Sequence, residues 1–256
     1  VQPVEQFERA VDAAGAVGGF VKDSVSAAAT FESNMNTLGS VLGDSLGQAG
    51  FTMDDVTNKA LQLGAETSFS AAQAQEAMIA LAKGGVPVKD MMDGATDAAL
   101  NLASAGGVDL AQAADIVAKN LGVWGETGVN AAQVSNLLAQ AANASTVDVD
   151  ELALGLANVG GAAKSGGVDF QELTQTMGLI APNFSSASDA GTALKTMILN
   201  LSPSTKPATE AMIELGMATA DGKSKFFDAS GSFIGMDKAA GLLQSSLAGL
   251  GEEQRM

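Results

Sequence analysis

Apolar residues along most of the chain recur at the three- and four-residue spacing of an amphipathic α-helix. In the middle of the chain, short turns interrupt this pattern about every 20 residues. Short helices joined by short turns pack as antiparallel neighbours, so the pattern predicts an all-α fold, a mostly helical array of short antiparallel helices. The stripes are clearest at Ala74, Ala77, Met78 and Leu81; at Leu110, Ala113, Ala114, Val117 and Leu121; at Val134, Leu137, Leu138 and Ala141; and at Leu194, Met197, Ile198 and Leu201.

Six predicted helix starts share one arrangement: an apolar residue, a capping residue, and an acid or amide three positions later. The side chain of such an N-cap accepts a hydrogen bond from an amide of the first turn, and the later residue can bond back to the cap. Before one of them, Gly106-Gly107 is expected to end the preceding helix. The six predicted caps are Thr52, Ser70, Asp109, Asn130, Asp148 and Asp169.

The first part of the chain differs, because its apolar residues recur at heptad spacing from Val4 to about Leu42. This spacing predicts one long helix, with Gly18 and Glu32 as breaks in the seam. The seam either lies on its own domain or pairs with another copy of the chain. The candidate residues for contact between copies are Phe7, Val11, Val21 and Val25.

The end of the chain also changes character, since Pro203 and Pro207 interrupt the helical pattern. Asp221-Gly222 between two apolar runs predicts a small β-hairpin, to which 231–234 adds a third short strand, before a final helix. The sequence therefore predicts three segments. They are a long helix at 1–45, a possible coiled-coil or oligomerisation segment; a helical core domain at 46–216; and a β-hairpin plus terminal helix at 217–256.

Composition removes most catalytic chemistry. The chain has neither Cys nor His, which excludes thiolate nucleophiles, imidazole bases and the metal sites that need them. Asp, Glu, Ser and Lys remain, without a spaced constellation, so we predict no catalytic residue, no metal site and no cofactor. The formal charge of -16 repels phosphates and argues against tight nucleic-acid binding. No apolar run reaches the roughly 20 residues of a membrane span.

Two fragments invite a chemical interpretation. Gly155 to Gly160 with Lys164 resembles a phosphate-binding loop, but the lysine comes late and a helix replaces the required strand. The paired acids Asp54-Asp55 and Asp148-Asp150-Glu151 suggest a carboxylate or cation site. They fall in first helical turns, where capping and the helix dipole already account for them. We favour the structural interpretation of both.

Two aromatic residues are candidates for contact with a partner. Trp124 is the single Trp and lies in the predicted turn Gly122–Gly125. It either packs inside the helical array, the interpretation we favour, or contacts another protein. Phe184 is the second candidate.

Several short stretches are weak individually and more specific in their order and spacing. They are Thr67–Ala71, Ala77-Met78, Leu81–Gly85, Leu100–Ala105, Asp109–Ile116, Ser145–Leu152, Lys164–Val168, Ala190–Leu194, Leu201, Pro203, Leu215–Met217 and Asp221-Gly222. Together they resemble the conserved helical core of phage tail tape measure proteins, over roughly Phe31 to Leu250. The chain departs from that family at Ala181–Phe184, where such proteins often carry glycine.

The resemblance implies a structural tail component of a tailed phage or phage-derived particle. Such proteins set tail length, occupy the tail-tube lumen or tip in several copies, and are released ahead of the DNA. It implies a homo-oligomer whose partners are tail tube proteins, tail tip or hub proteins and tail assembly chaperones. The expected location is the virion tail, and the host cytoplasm during assembly. Because the chain begins at Val1, we expect a processed product or a part of something longer.

One alternative is a membrane-active helical protein, pore-forming or toxin-like, whose amphipathic stripes insert on contact. The missing basic face argues against it. An enzyme is the weakest alternative, because no residues are spaced for catalysis.

Overall fold

The structure, a computed structural model, describes residues 26–250. Its helices are α1 (26–42), α2 (Ser45–Ala49), α3 (Met53–Glu66), α4 (Ala71–Lys83), α5 (Val88–Asp90), α6 (Thr96–Gly106), α7 (Leu110–Trp124), α8 (Ala131–Ala144), α9 (Val149–Ser165), α10 (Phe170–Ile180), α11 (Ala187–Asn200), α12 (Lys206–Glu214) and α13 (Met236–Leu247). These residues form no sheet, and the all-α prediction is confirmed. The predicted copy-to-copy contacts Phe7, Val11, Val21 and Val25 lie outside the described residues.

Shorter helical turns extend three of these helices. A π-helical turn, Met91–Ala95, joins α5 to α6, and 3-10 turns at Gly125–Thr127 and Ala181–Asn183 follow α7 and α10. No helix of the described residues is both long and apolar enough to cross a membrane.

The chain divides into two compact units. Among the described residues, the first contains 26–100 together with Asp109–Ala118, and the second contains Asn101–Val108 and 119–250. The division into segments at 1–45, 46–216 and 217–256 stays a prediction.

In the first unit, α3 and α4 approach closely at the turn between them. A Cβ built on Gly64 would lie 2.5 Å from the backbone nitrogen of Ala71, so only glycine allows this approach. Asn34 of α1 donates to the carbonyl of Ala72, and the Lys59 ammonium lies 2.8 Å from the Asp97 carboxylate. The apolar stripes of α3 and α4 are buried, as amphipathic helices on a shared core require.

A bend separates α5 from α6 in the same unit. Gly94 has φ +137°, a backbone conformation that side chains with a Cβ rarely adopt. Thr96 is fully buried, and its hydroxyl donates to the Met91 carbonyl across the bend at 3.0 Å. The Thr96 amide donates to the same carbonyl, so the Met91 oxygen accepts from both the backbone and the buried hydroxyl of Thr96.

The second unit contains four successive helices, α8 to α11, followed by α12, the turns after it and α13. A separate apolar cluster holds this last part together; its buried members are Leu201, Met212, Met217, Ala218, Phe226 and Ala239. Burial of Phe226, which is 1% exposed, ties the chain between α12 and α13 to the helices.

The predicted β-hairpin is reduced to two isolated antiparallel bridges, Ala218 with Ser224 and Phe227 with Phe233. The Ser224 hydroxyl donates to the Leu201 carbonyl at 2.6 Å, and Asp228 accepts from backbone amides of the second turn. Backbone bonds from the Lys225 amide to the Met217 carbonyl and from the Ile234 amide to the Phe226 carbonyl accompany the two bridges, and no longer ladder forms among the described residues.

Candidate interaction surface

Three of the six predicted caps form complete capping boxes, at Thr52, Ser70 and Asn130. At the first, the Thr52 amide donates to Asp55 Oδ2 at 2.8 Å, and the Asp55 amide donates back to Thr52 Oγ1 at 3.2 Å. This reciprocal pair satisfies two amides that the first helical turn leaves without a partner.

Two further predicted caps use their carboxylates alone. Asp109 Oδ1 accepts from the amides of Ala111 at 2.9 Å and Gln112 at 3.4 Å. Asp169 Oδ1 accepts from the Glu172 amide at 2.7 Å. Before Asp109, Gly107 takes φ +64°, the left-handed conformation that ends a helix.

The structure differs from the prediction at Asp148. This residue has the extended backbone of an N-cap, but its side chain makes no capping hydrogen bond. The carboxylate is exposed to water, and Asp150 and Glu151 place two more carboxylates in the same turn. The exposed Asp148 carboxylate is instead stabilised by water and by the positive end of the helix dipole.

The Glu172 side chain does not complete the capping box that its spacing from Asp169 predicts. Glu172 Oε1 instead accepts from the backbone amide of Met236, at the start of α13. The N-cap position of α13 is Gly235, which has no side chain to supply an acceptor. A carboxylate from α10 therefore caps a helix 64 residues further along the chain.

The structure buries Trp124 within the helices, and its assignment to contact with a partner stays a prediction. Its side chain is 2% exposed and packs on Phe170, with ring centroids 5.7 Å apart. Phe170 follows the Asp169 cap directly and is equally buried. The two aromatic rings form part of the core of the second unit, which is the internal packing that we favoured.

The fragments that suggested chemistry are parts of helices. Gly155 to Gly160 lies inside α9, and the Lys164 ammonium pairs with Glu126 at 3.2 Å. The acids Asp54 and Asp55 lie in the first turn of α3. Among the described residues, no group of acids is arranged to hold a metal ion.

The closest helix pair of the second unit is α9 with α11. A Cβ built on Gly191 would lie 2.2 Å from the carbonyl oxygen of Gly155, and one built on Gly155 would lie 2.5 Å from that of Ala187. At the other end of the pair, Gly166 meets Ile198. The middle of α9 meets the start of α11 and the end of α9 meets the last turns of α11, so the two helices run parallel, with the intervening helix α10 allowing the return.

Several large apolar side chains of the second unit are exposed. Gly155, in the middle of α9, lies against Met177 near the end of α10 and Ala187 at the start of α11, and Gly178 lies against Ala141 near the end of α8. Three of the exposed side chains lie in α9, in α10 and in the connection after α10: Leu154 (62% exposed), Leu179 (77%) and Phe184 (41%).

Of these three residues, the sequence predicted Phe184 alone. Leu154 and Leu179 each lie two positions from a buried stripe residue, Leu156 and Met177, and so lie off the apolar face of their helices. A leucine off the stripe is the pattern in the sequence that would have found them.

Comparison with known proteins places the chain in a family. The family model for phage-related minor tail proteins matches residues 57–256. The tape measure protein of Pneumococcus phage Dp-1 is 29% identical over 237 residues, which is 93% of this chain and 20% of that protein. The probable tape measure protein of Escherichia phage P2 is 29% identical over 171 residues, or 67% of this chain and 21% of that protein.

The chain spans about a fifth of the length of these two curated relatives. No solved structure matches it. The family model covers most of the chain, and both relatives carry the tape measure name, so the resemblance drawn from the sequence is confirmed. The chain belongs to the phage-related minor tail protein family and is a structural region of the tape measure type.

Proposed function

We propose that this chain is one region of a tape measure protein that sets the length of a phage tail, occupies the tail-tube lumen or tip, and is released ahead of the DNA. The observation that carries the proposal is the similarity to two tape measure proteins, one of them along 93% of the chain. In this role the chain acts through assembly and contact and catalyses no reaction.

The surface charge agrees with a place in the path of DNA. A formal charge of -16 repels phosphates, so DNA would pass such a surface without adhering to it. Exposed carboxylates that cap helices, such as Asp109 and Asp169, supply part of this charge while they stabilise the fold. The same residues thereby support the helical unit and keep its surface acidic.

The proposed partners are further copies of the chain, tail tube proteins, tail tip or hub proteins, and tail assembly chaperones. Copy-to-copy contact is assigned to the seam residues Phe7, Val11, Val21 and Val25, and contact with other proteins to Phe184. Phe184 is 41% exposed and lies on the connection between α10 and α11, where loops on a rigid scaffold commonly carry binding residues.

The test is to find the chain in an intact particle. An antibody raised against residues 131–200, or one that recognises a small tag inserted there, is expected to label the tail interior or tip once the tail is opened. An in-frame deletion of these residues is expected to shorten the tail, because the proposed role makes the length of the tail depend on this chain.

Two results would contradict the proposal. One is a particle that lacks the chain, or that carries it on the outer surface of the tail with an unchanged tail length. The other is leakage of liposomes caused by the purified chain at neutral pH, which would favour a membrane-active protein instead. A control deletion of the same length in a tail fibre gene is expected to leave the tail length unchanged.

A further inference from the structure

Two helical hairpins of the chain repeat one another, one in each unit. α3 and α8 have the same length and begin 78 positions apart, and α4 and α9 begin 78 positions apart as well. Three residues of α3 recur unchanged at this spacing in α8: Val56, Asn58 and Gln62. The chain therefore contains a duplicated helical hairpin, with α3–α4 as the first copy and α8–α9 as the second.

The turns inside the two hairpins contain the same hydrogen bond. In the first, the Phe69 amide donates to the Thr67 hydroxyl at 3.2 Å. In the second, the Val147 amide donates to the Ser145 hydroxyl, also at 3.2 Å. Thr67 and Ser145 are both C-caps with an extended backbone. The hairpins share local geometry as well as spacing, so each position in one has a counterpart in the other.

The apolar cores of the two hairpins also match. Five positions are buried in both copies, and the pairs are Val56 with Val134, Ala60 with Leu138, Ala74 with Leu152, Met78 with Leu156, and Leu81 with Val159. Because these positions correspond, a polar residue that appears in the core of one copy alone changes the relative stability of the two copies.

Gln75 of α4 is such a residue. Its side chain is fully buried, and neither its amide nitrogen nor its amide oxygen has a hydrogen-bond partner among the described residues. Its counterpart in α9 is Ala153, which has no side-chain polar group to desolvate. Burial of an unpaired amide gives up bonds to water without a bond in return, so the first hairpin carries a cost that the second does not.

Lys59 of α3 adds a second difference of the same sign. Its side chain is 18% exposed, and its ammonium lies 2.8 Å from the Asp97 carboxylate. Its counterpart in α8 is the half-buried Leu137. An ion pair that is largely removed from water commonly stabilises a fold no more than apolar packing does, because desolvation of the charges offsets their attraction. Both differences weaken the first hairpin relative to the second.

We propose that α3–α4 is the labile copy of the duplicated hairpin and opens while α8–α9 stays folded. The Gln75 amide sets this order, because both of its polar atoms bond to water once the hairpin opens. Opening exposes the apolar stripes of α3 and α4, which the closed fold buries. This inference concerns the fold of the chain and does not rest on the proposed function.

Native-state hydrogen exchange on the 256-residue chain tests the order of opening. After correction for intrinsic rates, amides of α4 are expected to exchange at least about tenfold faster than those of α9. Gln75→Met keeps an unbranched side chain of similar size and removes the amide, so it is expected to slow exchange in α4 about tenfold and to leave α9 unchanged. Gln75→Leu is the second variant, should methionine pack poorly.

The matched control is Gln140→Met, at an exposed position of α8. This change removes an amide that water already solvates, and it is expected to alter exchange in either hairpin less than about twofold. Melting followed by circular dichroism checks that each variant is folded.

Trypsin gives an independent measurement at two matched sites. Lys83 and Lys164 lie in the last turns of α4 and α9, and both helices close with a bond from a following valine amide, Val86 or Val168. Cleavage of a helix requires that it open locally. The folded chain is therefore expected to be cut at Lys83 faster than at Lys164, and Gln75→Met is expected to slow only the cut at Lys83.

Three results would overturn the inference. The first is exchange in α4 that is no faster than exchange in α9. The second is that neither Gln75→Met nor Gln75→Leu slows exchange in α4, which would show that the amide is already well solvated in the folded chain. The third is equal slowing in α4 and α9, which would show that the two hairpins open together. None of these measurements depends on where the chain lies in a particle, so the inference and the proposed function fail separately.

Discussion

Gly191 of α11 lies directly against the backbone of Gly155 of α9, so closely that a Cβ on Gly191 would be 2.2 Å from the Gly155 carbonyl oxygen. Backbone atoms cannot move aside as a flexible side chain can, so any larger residue forces the two helices apart. The close parallel packing of α9 and α11 therefore depends on two glycines 36 positions apart in the sequence.

Gly191→Ala is expected to lower the free energy of unfolding by about 1–3 kcal/mol, because overpacking outweighs the helix propensity gained from alanine. Chemical denaturation measures it. The control is Gly161→Ala in α9, where a Cβ meets nothing within 4 Å. That change is expected to stabilise the chain by up to about 1 kcal/mol through propensity alone. Equal effects of the two changes would contradict the close contact.

Loss of the Glu172 carboxylate is expected to loosen α13. Glu172→Ala removes the acceptor for the Met236 amide and should cost about 1 kcal/mol, typical of a lost N-cap, while Glu172→Gln keeps an oxygen acceptor and should cost less. Hydrogen exchange is the measurement, since amides at the start of α13 should exchange faster than those of α8.

The control for this prediction is Glu76→Ala, which removes an exposed carboxylate from α4 in the first unit. It is expected to leave exchange in α13 unchanged. If Glu172→Ala also leaves that exchange unchanged, Glu172 does not cap α13.

Two exposed carboxylates are expected to make stability fall in acid. The Thr52 hydroxyl and amide hold the pKa of Asp55 below its ordinary value of 3.8, and the Ser230 hydroxyl with the Ser232 amide does the same for Asp228. A carboxyl with a lowered pKa in the folded state stabilises the fold fully above the pKa of the unfolded chain. This contribution is lost as the pH falls through the lower, folded pKa.

The melting temperature is therefore expected to fall as the pH drops below about 4, where the unfolded carboxyls begin to take up protons. Titration followed by carboxyl ¹³C NMR should give Asp55 and Asp228 pKa values below 3.8 in the parent chain. Thr52→Ala should raise the pKa of Asp55 alone, and Ser230→Ala that of Asp228 alone, so each variant is the control for the other. A Thr52→Ala change that leaves Asp55 unaltered would contradict the assignment.

Local patterns in the sequence were enough to predict the helices and most of their caps, because these depend on residues three or four positions apart. The carboxylate caps at Asp109 and Asp169 are of this kind. The sequence did not reveal that Glu172 reaches Met236, or that Gly155 meets Gly191, since both pairs are set by tertiary packing between distant residues. Helix starts are local, whereas the choice of neighbouring helix is not.

The candidate contact residues divide in the same way, into those visible from local sequence and those that depend on tertiary packing. Phe184 was found because a lone aromatic in a turn is visible in the sequence, whereas Leu179 required knowledge of which face of α10 is buried. For Trp124, the local sequence did not show whether the ring is buried or exposed. Its place at the end of a predicted helix suits both a buried and an exposed ring, and contact with Phe170 decides between them.

Trp124 is expected to report on the packing of the second unit. Because the ring is 2% exposed and lies against Phe170, its fluorescence should be blue-shifted in the folded chain and shift to the red on unfolding. Trp124→Ala should lower the free energy of unfolding by about 3–5 kcal/mol, as the loss of a large buried aromatic does, while Trp124→Phe, which keeps a ring against Phe170, should lower it less. Denaturant titration followed by circular dichroism measures both changes.

Phe184→Ala is the control, an aromatic truncation at an exposed position that should cost less than about 1 kcal/mol. Red-shifted emission from the folded parent chain, or equal costs at Trp124 and Phe184, would return Trp124 to the surface as a contact residue.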